Sequence, residues 1–296
     1  MKNSILIITS DTNSANYEII KKSISYFKKK RKNNYIFIGN KKKIEKKIGV
    51  LRELNFININ YTSEKKYLEK SFEKAFELIL QKKAKGLINL PLNKKTFLGK
   101  KYPGVTEYIS EKFNLKNKET MLLYSDKFSV SPVTTHIKLK KVYNKINQTK
   151  IINNIINIDN FYKKIIGIEK PKIAILGLNP HCGIDFFGSL EEKKIIIPAI
   201  KKVKNVNVAG PFSADTVFLE INKKKINSII GQYHDQVLPT FKYANKFQGI
   251  NVTLGLPFLR ISPDHGTAKN LINKKHVDNT SFIYALNFFE KYYKKI

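Results

Sequence analysis

The chain has 296 residues, 42% of them hydrophobic, which suffices for one large α/β domain or two smaller ones. Its 55 lysines and arginines against 23 acidic residues give a formal net charge of +32. That excess is almost all lysine, spread along the chain among abundant Ile, Asn, Phe and Tyr. It reads as a solvated surface from an A/T-rich genome rather than a dedicated nucleic-acid face, with weak, salt-sensitive polyanion binding as its consequence. The single cysteine, Cys182, excludes an intrachain disulfide and fits a reducing compartment. No apolar run approaches a membrane span and the run at Ile5–Ile8 is too short for a signal peptide, so a soluble, cytoplasmic protein is expected.

In chain order, residues 4–9 form a short apolar run that predicts a buried first strand. Residues 10–18 read as a loop, and 17–30 as a helix with Ile20, Ile24 and Phe27 at helical spacing. Strands follow at 35–38 and 56–59. Ser63 is a candidate N-cap with Glu64 in the first turn. The helix after it carries Leu68, Phe72, Ala75, Phe76 and Ile79 on one face. Lys82 and Lys83 are expected in its last turn, with Gly86 as its stop. Strands are predicted at 87–90, 121–124, 128–133, 172–178, 206–209, 226–230 and 250–254. Residues 142–168 and 190–203 read as mostly helical, a helix starts in 215–221, and a terminal helix covers 280–294. The alternation predicts an α/β fold with largely parallel sheets. There is no internal repeat and no long linker, so any second domain is threaded by crossovers.

Polar chemistry concentrates between Gly231 and Ala268. This stretch holds two of the five histidines, His234 and His265, and Arg260, one of three arginines with Arg31 and Arg52. His136, His181 and His234 each follow a predicted strand, where α/β folds gather ligands. They either converge on one metal with an open position or serve separately as surface or core residues. His276, in a lysine-rich stretch, reads as solvated. Arg260 presents a planar fork suited to phosphate or carboxylate, which in a lysine-rich chain points to a geometric need. Lys242 alone also fits a surface ion pair.

An ordered set of motifs runs through most of the chain. It comprises Pro91-Leu92-Asn93-Lys94, Tyr102-Pro103-Gly104 to Thr106-Glu107, Thr134-Thr135-His136, Leu178-Asn179-Pro180-His181, Gly210-Pro211 to Ala214-Asp215-Thr216, Tyr233-His234-Asp235-Gln236 and Asp264-His265-Gly266-Thr267-Ala268. Together they resemble the 4-hydroxythreonine-4-phosphate dehydrogenase family of pyridoxal-phosphate biosynthesis. The resemblance implies the two-domain fold of the isocitrate and isopropylmalate dehydrogenases, which is not a Rossmann fold; no Gly-x-Gly-x-x-Gly is present. It divides the chain into an outer domain, residues 1–107 with 262–296, and a central domain, residues 108–261, carrying the metal ligands and dimer interface.

Residue by residue, the resemblance places one divalent ion (Zn, Mg or Co) on His136, His181 and His234. It places a small phosphorylated substrate on Thr106, Lys242, Asn251 and Arg260, and the adenosine of NAD on His265, Gly266, Thr267 and Ala268. Asp235, Asp215 and Lys242 are the candidate catalytic groups. The family works as a homodimer whose shared site takes one metal histidine from the partner. The implied reaction is NAD-dependent oxidation of a secondary alcohol, then decarboxylation of the β-keto acid. Three positions depart from the pattern. Val105 stands where the family has a substrate-binding histidine. The loop at 10–18 keeps only Asp11 and Glu18 of a Gly-Asp-Pro-Ala-Gly-Ile-Gly-Pro-Glu pattern, and Ile184 lies near a usual acidic position. Two alternatives therefore stand beside the implied substrate: another phosphorylated four-carbon hydroxy acid, or an inactive polyanion-binding relative.

Overall fold

The computed structural model describes residues 3–29, 35–49, 54–184, 190–272, 274 and 277–296. Arg31, Arg52 and His276 lie outside the described residues. Eleven strands are described: β1 (Ser4–Ile8), β2 (Tyr35–Gly39), β3 (Asn55–Asn58), β4 (Ala84–Asn89), β5 (Thr120–Tyr124), β6 (Ser129–Thr134), β7 (Ile173–Leu176), β8 (Val208–Phe212), β9 (Ser228–Tyr233), β10 (Ile250–Leu254) and β11 (Leu259–Pro263). They join in one sheet of order β3-β2-β1-β4-β11-β10-β5-β6-β9-β7-β8. Pairing is parallel except where β10 meets β11 and β5, and where β5 meets β6.

Helices cover both faces, so the inner strands are buried on both sides, and β1 and β5 read as nearly continuous apolar runs. In β1, Ile5 and Ile7 enter one core cluster while Leu6 and Ile8 enter another on the opposite face. The helix Thr280–Tyr292 packs Phe282, Leu286 and Phe289 into the first cluster, and the helix Glu64–Leu80 packs Leu68 and Phe72 into the second. Beyond β5, Ile229 of β9 meets Val237 and Phe241 of the helix His234–Asn245 in a third. β10 and β11 alternate in the same way. Ile250, Val252, Leu259 and Ile261 enter the first cluster. Asn251, Thr253 and Arg260 therefore face the other side of the sheet.

The expected helix over 17–30 is interrupted at Ser23, giving Asn16–Lys22 and Ile24–Lys29, and its first turn takes the end of the expected loop 10–18. Gly86 is not a helix stop. The helix Glu64–Leu80 ends before Lys82, which turns the chain at φ 53°, and Lys83 also lies beyond the last turn. Gly86 is inside β4, where a Cβ would stand 2.3 Å from Phe289 Cε1. Residues 142–168 are mostly helical as expected, with a short 3-10 turn at Tyr143–Lys145, the α-helix Gln148–Phe161 and a wider π-helical turn at Tyr162–Ile166. Ser63 does cap its helix, accepting from the Lys66 amide at 3.4 Å.

Candidate active site

A cavity of about 310 Å³ opens at the carboxyl ends of β4, β6 and β9. His136 lies two residues past β6, and His234 opens the helix that follows β9. Lys242 stands eight residues further along that helix, just over two turns, so it shares a side with His234. The cavity collects Thr106, His136, His234, Lys242, Asn251 and Arg260 from the expected site, together with His265 and Gly266. A second cavity of about 340 Å³ adjoins it, sharing Thr106, Glu107, Met121 and Thr135.

Arg260 is 2% exposed. Its Nε donates to Asn89 Oδ1 at 2.7 Å and its Nη1 to Thr253 Oγ1 at 3.0 Å. The Thr253 hydroxyl in turn meets Thr106 Oγ1 at 3.2 Å. Burial pulls the guanidinium pKa down to about 10 against the attraction of Glu107, so it remains a cation at neutral pH. The remaining N–H groups of its fork are available to an anion. Lys242 forms an ion pair with Asp264 Oδ1 at 3.0 Å while lining the cavity, so its bland and functional readings coexist. Burial raises the Asp264 carboxyl and Lys242 opposes the rise.

The rings of His136 and His234 lie side by side, tilted by 48° with centroids 5.6 Å apart. His234 Nδ1 is 2.6 Å from Asp235 Oδ1, which orients the ring and leaves Nε2 for another partner. Desolvation holds His136 below the ordinary histidine pKa, and Lys94 adds to the effect. His181 stands apart from this pair. It follows β7 on a turn with φ 49° at His181 and 58° at Cys182, and its side chain is 61% exposed with Nε2 3.7 Å from Asp215 Oδ2. The turn is fixed by the buried Glu192, whose Oε1 accepts from the Leu178 and Asn179 amides at 2.9 Å each. Among the described residues of one chain, no group of three or more His, Cys, Asp or Glu is placed to hold a metal ion.

Three buried acceptors at the cavity have no protein partner: Asn251 Oδ1, Glu107 Oε2 and His265 Nε2. His265 Nδ1 donates to the Gly266 carbonyl at 2.9 Å, so the bare Nε2 is an acceptor, and a Cβ at Gly266 would meet nothing within 4 Å. That combination suits a ligand bringing hydroxyl or amino groups. Thr267 and Ala268 do not line the cavity. The Thr267 carbonyl accepts from the Ala15 amide at 3.0 Å, and Ala268 takes φ 44°.

The altered loop at 10–18 thus reaches the 264–268 turn. Ser10, at the family's first glycine, adopts φ 57°. Asp11 Oδ2 accepts from the Asn93 amide at 3.0 Å, and Asn16 Nδ2 donates to the carbonyls of Thr9 at 3.0 Å and Pro91 at 2.7 Å.

Sequence reasoning did not single out Asn89, Lys94, Glu107, Thr253 or Asp264 as site residues. Lys94, Glu107 and Asp264 lay inside the quoted motifs, which was the available signal. A lysine in a chain this rich in lysine carried none of its own.

The model of the family described as pyridoxal phosphate biosynthetic protein PdxA matches residues 2–289. The chain belongs to the PdxA family. It is 35% identical over 312 aligned positions to a 4-hydroxythreonine-4-phosphate dehydrogenase of Sulfurihydrogenibium sp. (strain YO3AOP1), covering 95% of this chain and 96% of the relative. It is also 36% identical over 200 positions to a D-threonate 4-phosphate dehydrogenase of Salmonella typhimurium, covering 66% of this chain and 61% of that one. Among solved structures it resembles a 4-hydroxythreonine-4-phosphate dehydrogenase from Klebsiella pneumoniae, with TM-score 0.81, 25% identity and coverage of 97% and 99%. A likeness to isocitrate dehydrogenase from Methylococcus capsulatus, at TM-score 0.56, 10% identity and coverage of 97% and 85%, shows the fold alone. The isocitrate dehydrogenase-like fold expected of this PdxA family member is thereby established.

Proposed function

We propose that the chain oxidises 4-phosphohydroxy-L-threonine with NAD and that the β-keto acid formed loses CO2 to give 3-amino-2-oxopropyl phosphate. The observation that carries this reading is one cavity joining a buried arginine with free donors, a neighbouring histidine pair and three unpartnered acceptors. Arg260 and Lys242 hold the substrate phosphate and supply remote binding energy for orientation. Asn251 and Thr106 border the same space and fix the substrate's polar groups.

His136 and His234 line the cavity with ring centroids 5.6 Å apart and would hold a divalent cation together with His181 of the partner subunit, the cation taking the place of Lys94 at whichever His136 nitrogen it binds. Such a cation (Zn, Mg or Co) would supply Lewis acidity, favouring proton loss from the substrate hydroxyl and the departure of CO2. Asp235 orients His234 and Asp215 stands at 3.7 Å from His181, so either carboxylate is positioned to take a proton in the assembled site. NAD supplies the hydride acceptor. The bare His265 Nε2 and the open space at Gly266 suit the adenosine, with Thr267 and Ala268 shaping the turn. The working form is a cytoplasmic homodimer.

A second reading is favoured by Val105, which removes a donor from the cavity wall: a phosphorylated four-carbon hydroxy acid such as D-threonate 4-phosphate. NADH formation with each substrate, at matched metal, tests both. Turnover of 4-phosphohydroxythreonine alone supports the first, turnover of D-threonate 4-phosphate alone the second, and turnover of neither overturns both.

A further inference from the structure

The short helix Lys94–Leu98 begins at the mouth of the cavity. Its position is set from below. The Asn93 side chain accepts from the Thr96 amide at 3.2 Å, and the Asn93 amide is held by Asp11. Lys94 Nζ reaches 3.4 Å from His136 Nε2. An ammonium has no lone pair to accept with, so the imidazole nitrogen accepts and Lys94 donates.

Opposite stands Glu107. Its Oε1 is tied by the Thr135 hydroxyl at 3.1 Å, and its Oε2 is buried with no protein partner. Glu107 attracts Lys94, Arg260 and His136 alike, while Arg260 repels Lys94. Lys242 and Asp264 already neutralise each other. Lys94 and Arg260 against Glu107 then leave the cleft with one surplus positive charge, which favours an anionic ligand, and Lys94 and Arg260 offer it two separate cationic donors.

Val105 contributes nothing there. It is 7% exposed, packs with the apolar cluster of Leu92 and Phe97, and borders the same cavity as Lys94. We propose that Lys94 is a substrate-binding residue, its ammonium donating to the carboxylate of the phosphorylated acid, with Glu107 as its positioning residue. This rests on the function proposed above. There the reacting hydroxyl lies at His136 and His234, and the carboxylate is on the neighbouring end of the molecule, within reach of a group that touches His136. Lys94 supplies the donor that valine cannot.

The test compares two ligands that differ only in the carboxylate: 4-phosphohydroxythreonine and 3-amino-2-hydroxypropyl phosphate. Dissociation constants are measured by calorimetry for the wild-type protein, Lys94→Met and Lys94→Arg, with urea unfolding as a control on this exposed position. Lys94→Met is expected to weaken the acid by roughly tenfold or more, the scale of a hydrogen bond to a charged group. It leaves the carboxylate-free ligand within about twofold, and Lys94→Arg recovers most of the loss. Equal weakening of both ligands, or of neither, overturns the assignment; the first result would mean a phosphate contact or a general field. If the wild-type protein binds neither 4-phosphohydroxythreonine nor D-threonate 4-phosphate, the proposed function fails and takes this inference with it. If it binds and Lys94→Met binds equally well, the inference about Lys94 fails alone.

Discussion

Val105 occupies an apolar position that a histidine would have to share with Leu92, Phe97 and Tyr108. If the substrate is 4-phosphohydroxythreonine, Val105→His should add one hydrogen bond to a charged group and improve kcat/KM by about 1.5–3 kcal/mol in transition-state terms. The same change should lower folding stability by about 1–3 kcal/mol, because part of the imidazole is buried among hydrocarbon. Steady-state kinetics and urea unfolding on one preparation read both effects. A fall in kcat/KM for this substrate would favour the second reading. His265 gives a different prediction. Burial holds its pKa below the ordinary value of 6.5, opposed by the Gly266 carbonyl and Asp264. The folded state therefore prefers the neutral ring, and its contribution is complete above the unfolded pKa. It drains away as pH falls through the depressed folded value. Urea unfolding at successive pH values below neutrality should show a shallower loss for His265→Gln than for the wild-type protein.

Between β4 and the helix Thr280–Tyr292 there is no room for a methyl group at residue 86. The added Cβ would stand 2.3 Å from Phe289 Cε1, 2.7 Å from its Cζ and 3.1 Å from the Leu259 carbonyl oxygen. Gly86→Ala should therefore cost about 1–3 kcal/mol of stability by overpacking, measured as a lower urea midpoint with an unchanged m-value. The glycine was misread because a glycine after a lysine-ended amphipathic run is also the usual helix stop. β1 was legible because burial on both faces demands an unbroken apolar run, and β10 because Ile250, Val252 and Leu254 alternate with polar residues. β11 was not, since Arg260 and Pro263 disguise a strand whose alternate residues serve the cavity. The helix Lys41–Ile48 escaped notice because only Ile44 and Ile48 are buried, and Lys94–Leu98 is too short for a period to show. At the site, histidines and a lone arginine stand out by rarity. Glu107 and Lys94 acquire their meaning only from what the fold sets beside them.

On the scale of the whole molecule, the separation of His181 and Asp215 from the cavity matters most. If the proposed homodimer shares its sites, His136→Ala and His181→Ala should each be inactive. Refolded together in equal amounts, they should recover roughly a quarter of wild-type activity, because half the dimers carry one intact site of two. No recovery, or an active monomer in sedimentation, would sink the shared site. The proposed division into residues 1–107 with 262–296 and residues 108–261 places its second boundary inside β11.

That strand has a temporal consequence. β1 to β4 on one arm of the sheet, and β5 to β9 on the other, all precede residue 234 in the chain. Only the hairpin of β10 and β11 bridges them, pairing with β5 on one side and β4 on the other. A ribosome making this chain releases both arms before it releases their seam. Arg260, Asn251 and Thr253 belong to the seam, so the cavity wall that carries Arg260 is the last part of the sheet to be synthesised. A nascent chain stalled before residue 250 has two arms and no pocket between them.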